Sequence, residues 1–373
     1  MKQRLNPKNR KLGIFAASGV VLTQGFEAVL LPLLFYATFM FEISNNNGIA
    51  YSAGIMSLKE LFSLIIAVFY LGPKIIKHSL KLMSQKKNIW FVLSGTFGTA
   101  MGNIFFIVGI VMAGPSYGVI LTAFYPIFAI GLNKLVYKEN DNWVSKLGML
   151  ISILSGALFV ILPVLISGGT ISAWTIGGMC CGLLAGFFWA LEGFFLRIAM
   201  DKNPEVKQKE AIAIRTISVA ITTWVLIVPI SIGVNYAITG DVFNTYTKLI
   251  GRLFYEKQAW IVWLVLFFAG LNVIILRIMH TTAIKYIGQK LTAIIDTNNF
   301  IIPSIFALVL QFLPGNPGLE FTNSLLAWYL WFLLLPLSVG LTLVLVYHGK
   351  SEIKPIKELI RKTKNEENPP QNK

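Results

Sequence analysis

Apolar runs of about twenty residues or more recur along the whole chain, separated by short polar links. Ten can be marked, at approximately 12–40, 50–71, 89–112, 116–137, 144–166, 173–198, 212–238, 259–281, 287–312 and 325–348. At 1.5 Å per residue, each is long enough as a helix to cross a hydrocarbon core of ~30 Å. The shortest links place expected breaks at 113–115 and 281–286, the first of them carrying Gly114 and Pro115. The first run follows a basic arm that looks like the start of a signal peptide. About 28 apolar residues with no small-residue cleavage site come after it, so an uncleaved first span is expected.

Composition agrees with this pattern and removes alternatives. Of 373 residues, 55% are hydrophobic and 13% charged, against about 25% charged in soluble domains. A net charge of +15 would suit a nucleic-acid binder, but a mean hydropathy of +0.68 does not. Alternating the spans across a bilayer explains the charge instead. Most of the 32 basic residues fall on one side, with the amino-terminal arm, the 72–88 loop and the tail, while the other side receives Lys248, Arg252 and Lys257. That asymmetry puts both termini in the cytoplasm of a multi-pass protein of the cell membrane. The adjacent Cys180 and Cys181 fit neither a disulfide framework nor a metal motif, and the three histidines have no spacing that gathers them. No metal and no cofactor is expected.

The two halves resemble each other. Gln24-Gly-Phe-Glu27-Ala-Val-Leu-Leu aligns with Trp189-Ala-Leu-Glu192-Gly-Phe-Phe-Leu, placing each glutamate at the same point of its span. Gly118-Val-Ile-Leu121-Thr122-Ala123 aligns with Gly288-Gln-Lys-Leu291-Thr292-Ala293. Five spans per copy is odd, so the second copy enters the membrane from the opposite face, as in many secondary transporters. The expected fold class is an all-α membrane protein with ten transmembrane helices in two inverted five-helix repeats. Its parts are a cytoplasmic basic arm at 1–11, repeats at 12–166 and 172–348, and a charged cytoplasmic tail at 349–373.

Several runs carry a resemblance to a known family: Trp90-Phe-Val-Leu-Ser-Gly95-Thr-Phe-Gly98-Thr-Ala-Met-Gly102-Asn103, Gly118-Val-Ile-Leu-Thr-Ala-Phe-Tyr-Pro126, Glu139, and Lys146-Leu-Gly148 through Gly156-Ala. Together they look like the core of an EamA-type repeat of the drug/metabolite transporter superfamily. The second copy is similar through Phe187-Phe-Trp189-Ala-Leu and Gly288 to Ala293, but Asp296 stands where Pro126 would recur. The resemblance implies a ten-helix bundle with alternating access to a central cavity.

Charged side chains at membrane depth are costly and are functional candidates by default. Here they are Glu27, Lys59, Glu60, Glu192 and Asp296. Glu27 and Glu192 should face one another across the cavity; the alternative is that each is neutralised by a neighbour, Lys59 being the obvious one, and serves packing. Arg215 and Arg277 are read as interfacial, snorkelling to the cytoplasmic boundary. Thr292, Asp296, Asn299 and Pro303 share one helix face, beside Asn298, and are expected to line the cavity. Asp296 sits roughly 13 Å into its span, near the midplane of a ~30 Å core. Asn103 and Asn272 lie at corresponding depths and suit either the cavity or an interhelical hydrogen bond. Tyr125 and Trp189 suit a substrate wall. The glycines at 95, 98, 102 and 109 read as a close-packing face.

The expected function is therefore a secondary transporter that moves a small polar or amphipathic metabolite by alternating access, with proton coupling open. Its partners would be that small molecule and the lipid bilayer, without nucleic acid, and a homodimer is left open. A non-transporting scaffold and an intramembrane lipid-modifying enzyme are the alternatives. The chain has no His-Glu-x-x-His, no Gly-x-Ser-x-Gly and no P-loop, so it is read as not an enzyme.

Overall fold

The computed structural model describes residues 7–31, 48–122, 124–137, 172–240 and 244–296. It also describes positions 33, 34, 40, 336, 339 and 343 and scattered positions within 143–158. Among the described residues every regular element is helical and no strand occurs. Most of the fifth and tenth expected spans, the tail, and Asn298, Asn299 and Pro303 lie outside them.

The helices are α1 (Pro7–Leu30), α2 (Gly48–Leu71), α3 (Pro73–Met83), α4 (Ile89–Leu93), α5 (Met101–Thr122) and α6 (Tyr125–Tyr137). After them come α7 (Ala173–Lys202), α8 (Gln208–Thr222), α9 (Val228–Thr239), α10 (Asn244–Tyr255), α11 (Ala259–Ile287) and α12 (Gln289–Asp296). Two π-helical stretches, Ser94–Ala100 and Thr223–Ile227, join α4 to α5 and α8 to α9 without breaking them. Local chemistry sets several boundaries. Ser172 caps α7 by accepting the Thr175 N–H at 3.1 Å, and Glu210 folds back to accept the Lys207 N–H at 2.8 Å at the start of α8. Gly72, with φ +85°, supplies the turn before Pro73 opens α3.

Among the described residues, five helical stretches are long and apolar enough to cross a membrane: Ala50–Leu71, Lys86–Ala113, Ala173–Lys202, Gln208–Val234 and Ala259–Ile287. Large apolar side chains point outward, among them Phe69 at 84%, Leu135 at 79% and Val225 at 70% exposure. An exterior of this kind needs lipid around it, and with the helix lengths it makes the chain a multi-pass membrane protein.

Two helices, α7 and α1, each lie between the arms of a hairpin. Along α7, Gly102 faces Trp189, Gly109 faces Gly178 and Gly182, and Ala113 faces Gly178, so α5 begins antiparallel to it. By Thr122 the chain lies against Gly186, and further on Tyr125 packs with Ala190 while Asn133 meets Arg197. The chain therefore reverses between Ala113 and Thr122, where Gly114 and Pro115 predict a break, although its backbone stays helical through Met101–Thr122.

The same arrangement holds at α1. Gly13 faces Tyr286 and Ile287, Gly19 faces Met279, and Asn272 Nδ2 donates to the Thr23 carbonyl at 2.8 Å, so α11 is antiparallel to α1. Past Gly288 the chain returns: Leu291 packs with Ala16 and Ala17, and Gln24 meets Asp296. The break here differs from the expected one at 281–286. Helix α11 runs on to Ile287, because those residues include no glycine or proline, and the reversal waits for Gly288 at φ +80°.

Connecting helices occupy corresponding places. Helix α3, with Lys74, Lys77 and Lys81, follows α2, and α10, with Lys248 and Arg252, follows α9. Near α3, Asn203 Nδ2 donates to the Lys87 carbonyl at 2.8 Å, and Lys87 Nζ meets Glu205 at 2.8 Å. The bond from the Lys87 ammonium holds the exposed Glu205 carboxyl below its usual range.

Candidate functional site

The cavity lies where α1, α5, α7, α11 and α12 converge, with the turn at Thr122 to Tyr125 on its wall. It holds about 720 Å³ of empty space, mouth included. Its polar lining is Gln24, Glu27, Thr99, Asn103, Thr122, Glu192, Arg277, His280 and Asp296; Phe106, Tyr125, Trp189, Val273 and Leu276 supply the apolar part. Thr99 sits in the π-helical stretch, a locally widened turn of helix of a kind that recurs at functional sites.

Close helix approach makes the site possible. A Cβ on Gly98 would lie 2.4 Å from Glu192 Cα, and one on Gly102 would lie 2.4 Å from the Trp189 ring. Only glycine lets this helix come near enough for Ser94 Oγ to donate to the Glu192 carbonyl at 3.0 Å.

The carboxylates differ in their partners. Glu27 Oε1 accepts from Lys59 Nζ at 2.6 Å, with Lys59 fully buried. Glu192 Oε1 is bonded by the Arg215 guanidinium and lies 3.2 Å from His280 Nδ1. Glu60 accepts from Arg277 Nη2 at 2.7 Å and from Ser63 Oγ at 3.2 Å. Asp296 Oδ2 accepts from Gln24 Nε2 at 3.0 Å, and its Oδ1 is buried with no hydrogen-bond partner among the described residues.

Six sequence-predicted residues come together on this cavity: Glu27, Glu192, Asp296, Asn103, Tyr125 and Trp189. Lys59 and Glu60 sit behind the wall as ion-pair partners rather than lining it. Thr292 is fully buried and turned to its own helix, donating to the Gly288 carbonyl at 2.7 Å, so it does not line the cavity. Asn299 lies outside the described residues. Asn103 both lines the cavity and bridges helices, accepting from Trp189 Nε1 at 3.2 Å and donating to Glu60 at 3.4 Å, whereas Asn272 bridges α11 to α1.

Two expectations need correcting. Arg215 and Arg277 are not interfacial: they are 0% and 2% exposed, and each is consumed by a buried glutamate. Their hydropathic position near a span end is real, but a buried carboxylate on the neighbouring helix draws each guanidinium inward. Gln24, Thr99 and His280 were missed as lining residues. The usable signal was helical spacing: Gln24 lies three residues before Glu27, and His280 three after Arg277, so each shares a face with a residue already singled out.

Beyond the cavity, three helices are tied by a second buried polar cluster. Arg197 Nη1 donates to Asn133 Oδ1 at 2.6 Å, Asn133 Nδ2 donates to Gln289 Oε1 at 2.7 Å, and Gln289 Nε2 donates to the Ala190 carbonyl at 2.7 Å. The Arg197 guanidinium also stacks 3.8 Å from the centre of the Tyr137 ring. Gln289 precedes Asp296 by seven residues, so this cluster lies about 10 Å along the helix axis from the cavity carboxylate.

Comparison with known proteins agrees with the sequence motifs. Residues 61–162 match the EamA-like transporter family, a family of transporters rather than enzymes. No curated protein matches the chain. One solved crystal structure, described only as that of a protein, is similar at a TM-score of 0.53 and 12% identity, covering 90% of this chain and 97% of the other. That likeness concerns the fold alone.

Proposed function

We propose that this protein is a secondary transporter of the cell membrane that moves a small polar or amphipathic metabolite by alternating access. The observation that carries the reading is the convergence of Glu27, Glu192 and Asp296, from α1, α7 and α12, on a single cavity between the helices. Buried carboxylates are retained in a bilayer at a cost, and a cavity that binds a polar solute or a coupling proton gives them a use. The EamA-like match over residues 61–162 supports the same class.

The ten-helix, inverted-repeat organisation belongs to this proposal. Supporting it are the two hairpins around α7 and α1, the glutamate on each enclosed helix, and the ion pairs Glu27 with Lys59 and Glu192 with Arg215, each linking an enclosed helix to the transmembrane helix that follows it. In this reading both termini are cytoplasmic, following the basic residues, and the Arg197, Asn133 and Gln289 cluster is the closed cytoplasmic end of the pathway.

The test is solute movement. Purified protein in liposomes should exchange or accumulate members of a metabolite panel, and Glu27→Gln and Glu192→Gln should each lower the rate at least tenfold while the protein remains in the membrane. Absence of movement of any solute would favour a scaffold. Normal transport by both variants would assign the two glutamates to packing.

A further inference from the structure

We propose that Asp296 is the docking point for a protonated amine, so that the ligand of this cavity carries a positive charge as a free cation or as one end of a zwitterion. The proposal deepens the transporter reading and rests on it for movement across the membrane, but binding is separable from movement.

The argument starts from the charges at membrane depth. Glu27 is neutralised by Lys59, Glu60 by Arg277, and Glu192 by Arg215 with His280 alongside. Among the described residues these pairs use every buried glutamate and its cation. Among the same described residues Asp296 has no cationic partner. One of its oxygens takes an amide hydrogen from Gln24, and the other, Oδ1, takes none although the residue is only 3% exposed and lines the cavity. A carboxylate lacking one hydrogen bond in such a place is completed by a donor from outside the chain, and the strongest donor for it is a cation.

The rest of the wall fits the same class of ligand. Tyr125, Trp189 and Phe106 bring three aromatic rings to this cavity. Rings of this kind accept the apolar body of an amine and attract its ammonium through their faces. An anion without a cationic group would find Arg277, the arginine on this wall, already committed to Glu60, and Asp296 opposing it. A zwitterion remains compatible, because its own ammonium answers Asp296 and offsets its carboxylate.

The competing occupant of Oδ1 is a proton held on Asp296 itself, which would make the site indifferent to ligand charge. The experiment compares these two. Full-length protein, purified in detergent, is titrated calorimetrically with matched pairs of probes that differ only at one group, such as 3-phenylpropylamine against 3-phenylpropanol and phenylalanine against 3-phenylpropionate.

The amine should bind at least tenfold more tightly than its neutral or anionic counterpart, in line with a charged hydrogen bond. Asp296→Asn should abolish that preference, and Gly131→Ala, at a position away from the cavity with nothing within 4 Å of the added Cβ, should retain it. Asp296→Glu, which keeps the charge, guards against misfolding, and each variant is compared with wild type by size-exclusion profile.

Equal binding of both members of every pair, or a preference that survives Asp296→Asn, would overturn the proposal. Transport of a neutral solute with no amine preference would leave the transporter reading standing and remove the amine site. Asp296-dependent amine binding without any transport would do the reverse.

Discussion

Ion pairing decides what each charged residue can be asked to do. Lys59 and Arg215 are fully buried, so removing the carboxylate that each one faces strands a cation in the bundle. Breaking a buried pair in this way costs about 3–5 kcal/mol, whereas replacing both partners with apolar residues can be neutral. Glu27→Gln should therefore lower the thermal midpoint in detergent, and Glu27→Gln with Lys59→Met should recover most of it. If the carboxylate serves transport, the stable double variant stays inactive in liposomes; a double variant that transports normally would make Glu27 a packing residue. The sequence supplied Glu27, Lys59 and Glu192 from depth alone. It could not supply the roles of Arg215 and Arg277, because a guanidinium near a span end reads the same whether it snorkels out or is drawn in by a glutamate many residues away.

At the scale of elements, glycine spacing and one polar cluster control how helices meet. Gly98→Ala puts a methyl group 2.4 Å from the Glu192 backbone, which cannot rotate away, so the variant should fail to accumulate as folded protein. Gly131→Ala is the control: nothing lies within 4 Å of its Cβ, and helix propensity favours alanine by up to about 1 kcal/mol. Fluorescence size-exclusion of the two variants checks both expectations. The Arg197, Asn133 and Gln289 cluster makes a separate prediction. With Cys180 and Cys181 replaced by serine, a short thiol-reactive cross-linker between Asn133→Cys and Gln289→Cys should stop transport, and a cleavable linker should restore it on reduction. Unimpaired transport by the cross-linked protein would show that this end does not open. The small-residue face at 95 to 109 was legible in the sequence as spacing. The polar cluster was not, since Arg197 sits among residues that count simply as basic loop charge and its partners come from α6 and α12.

For the whole molecule, the basic-residue asymmetry makes a topological prediction. Reporter fusions after residue 80 and at the carboxyl end should signal from the cytoplasm, and a fusion after residue 42 from outside; external signals from the first two would discard the proposed orientation. The sequence by itself determined the helical, membrane-spanning character and marked ten candidate spans and a likeness of the two halves, because these readings follow from run length, hydropathy, charge and local residue pattern, all local quantities along the chain. It also marked Glu27, Glu192 and Asp296, since depth within a run can be counted. Only the tertiary structure decided that α7 and α1 each lie inside a hairpin, that the reversal after α11 waits for Gly288, and that Thr292 turns inward to its own helix while His280 faces the cavity. It paired Glu27 with the Lys59 that the sequence already offered, alone matched Glu192 to Arg215 and Glu60 to Arg277, and left Asp296 Oδ1 without a partner among the described residues. The reason is physical: pairing energy depends on distances of a few ångströms between side chains from different helices. Hydropathy fixes how deep a residue lies but not which neighbour it meets there.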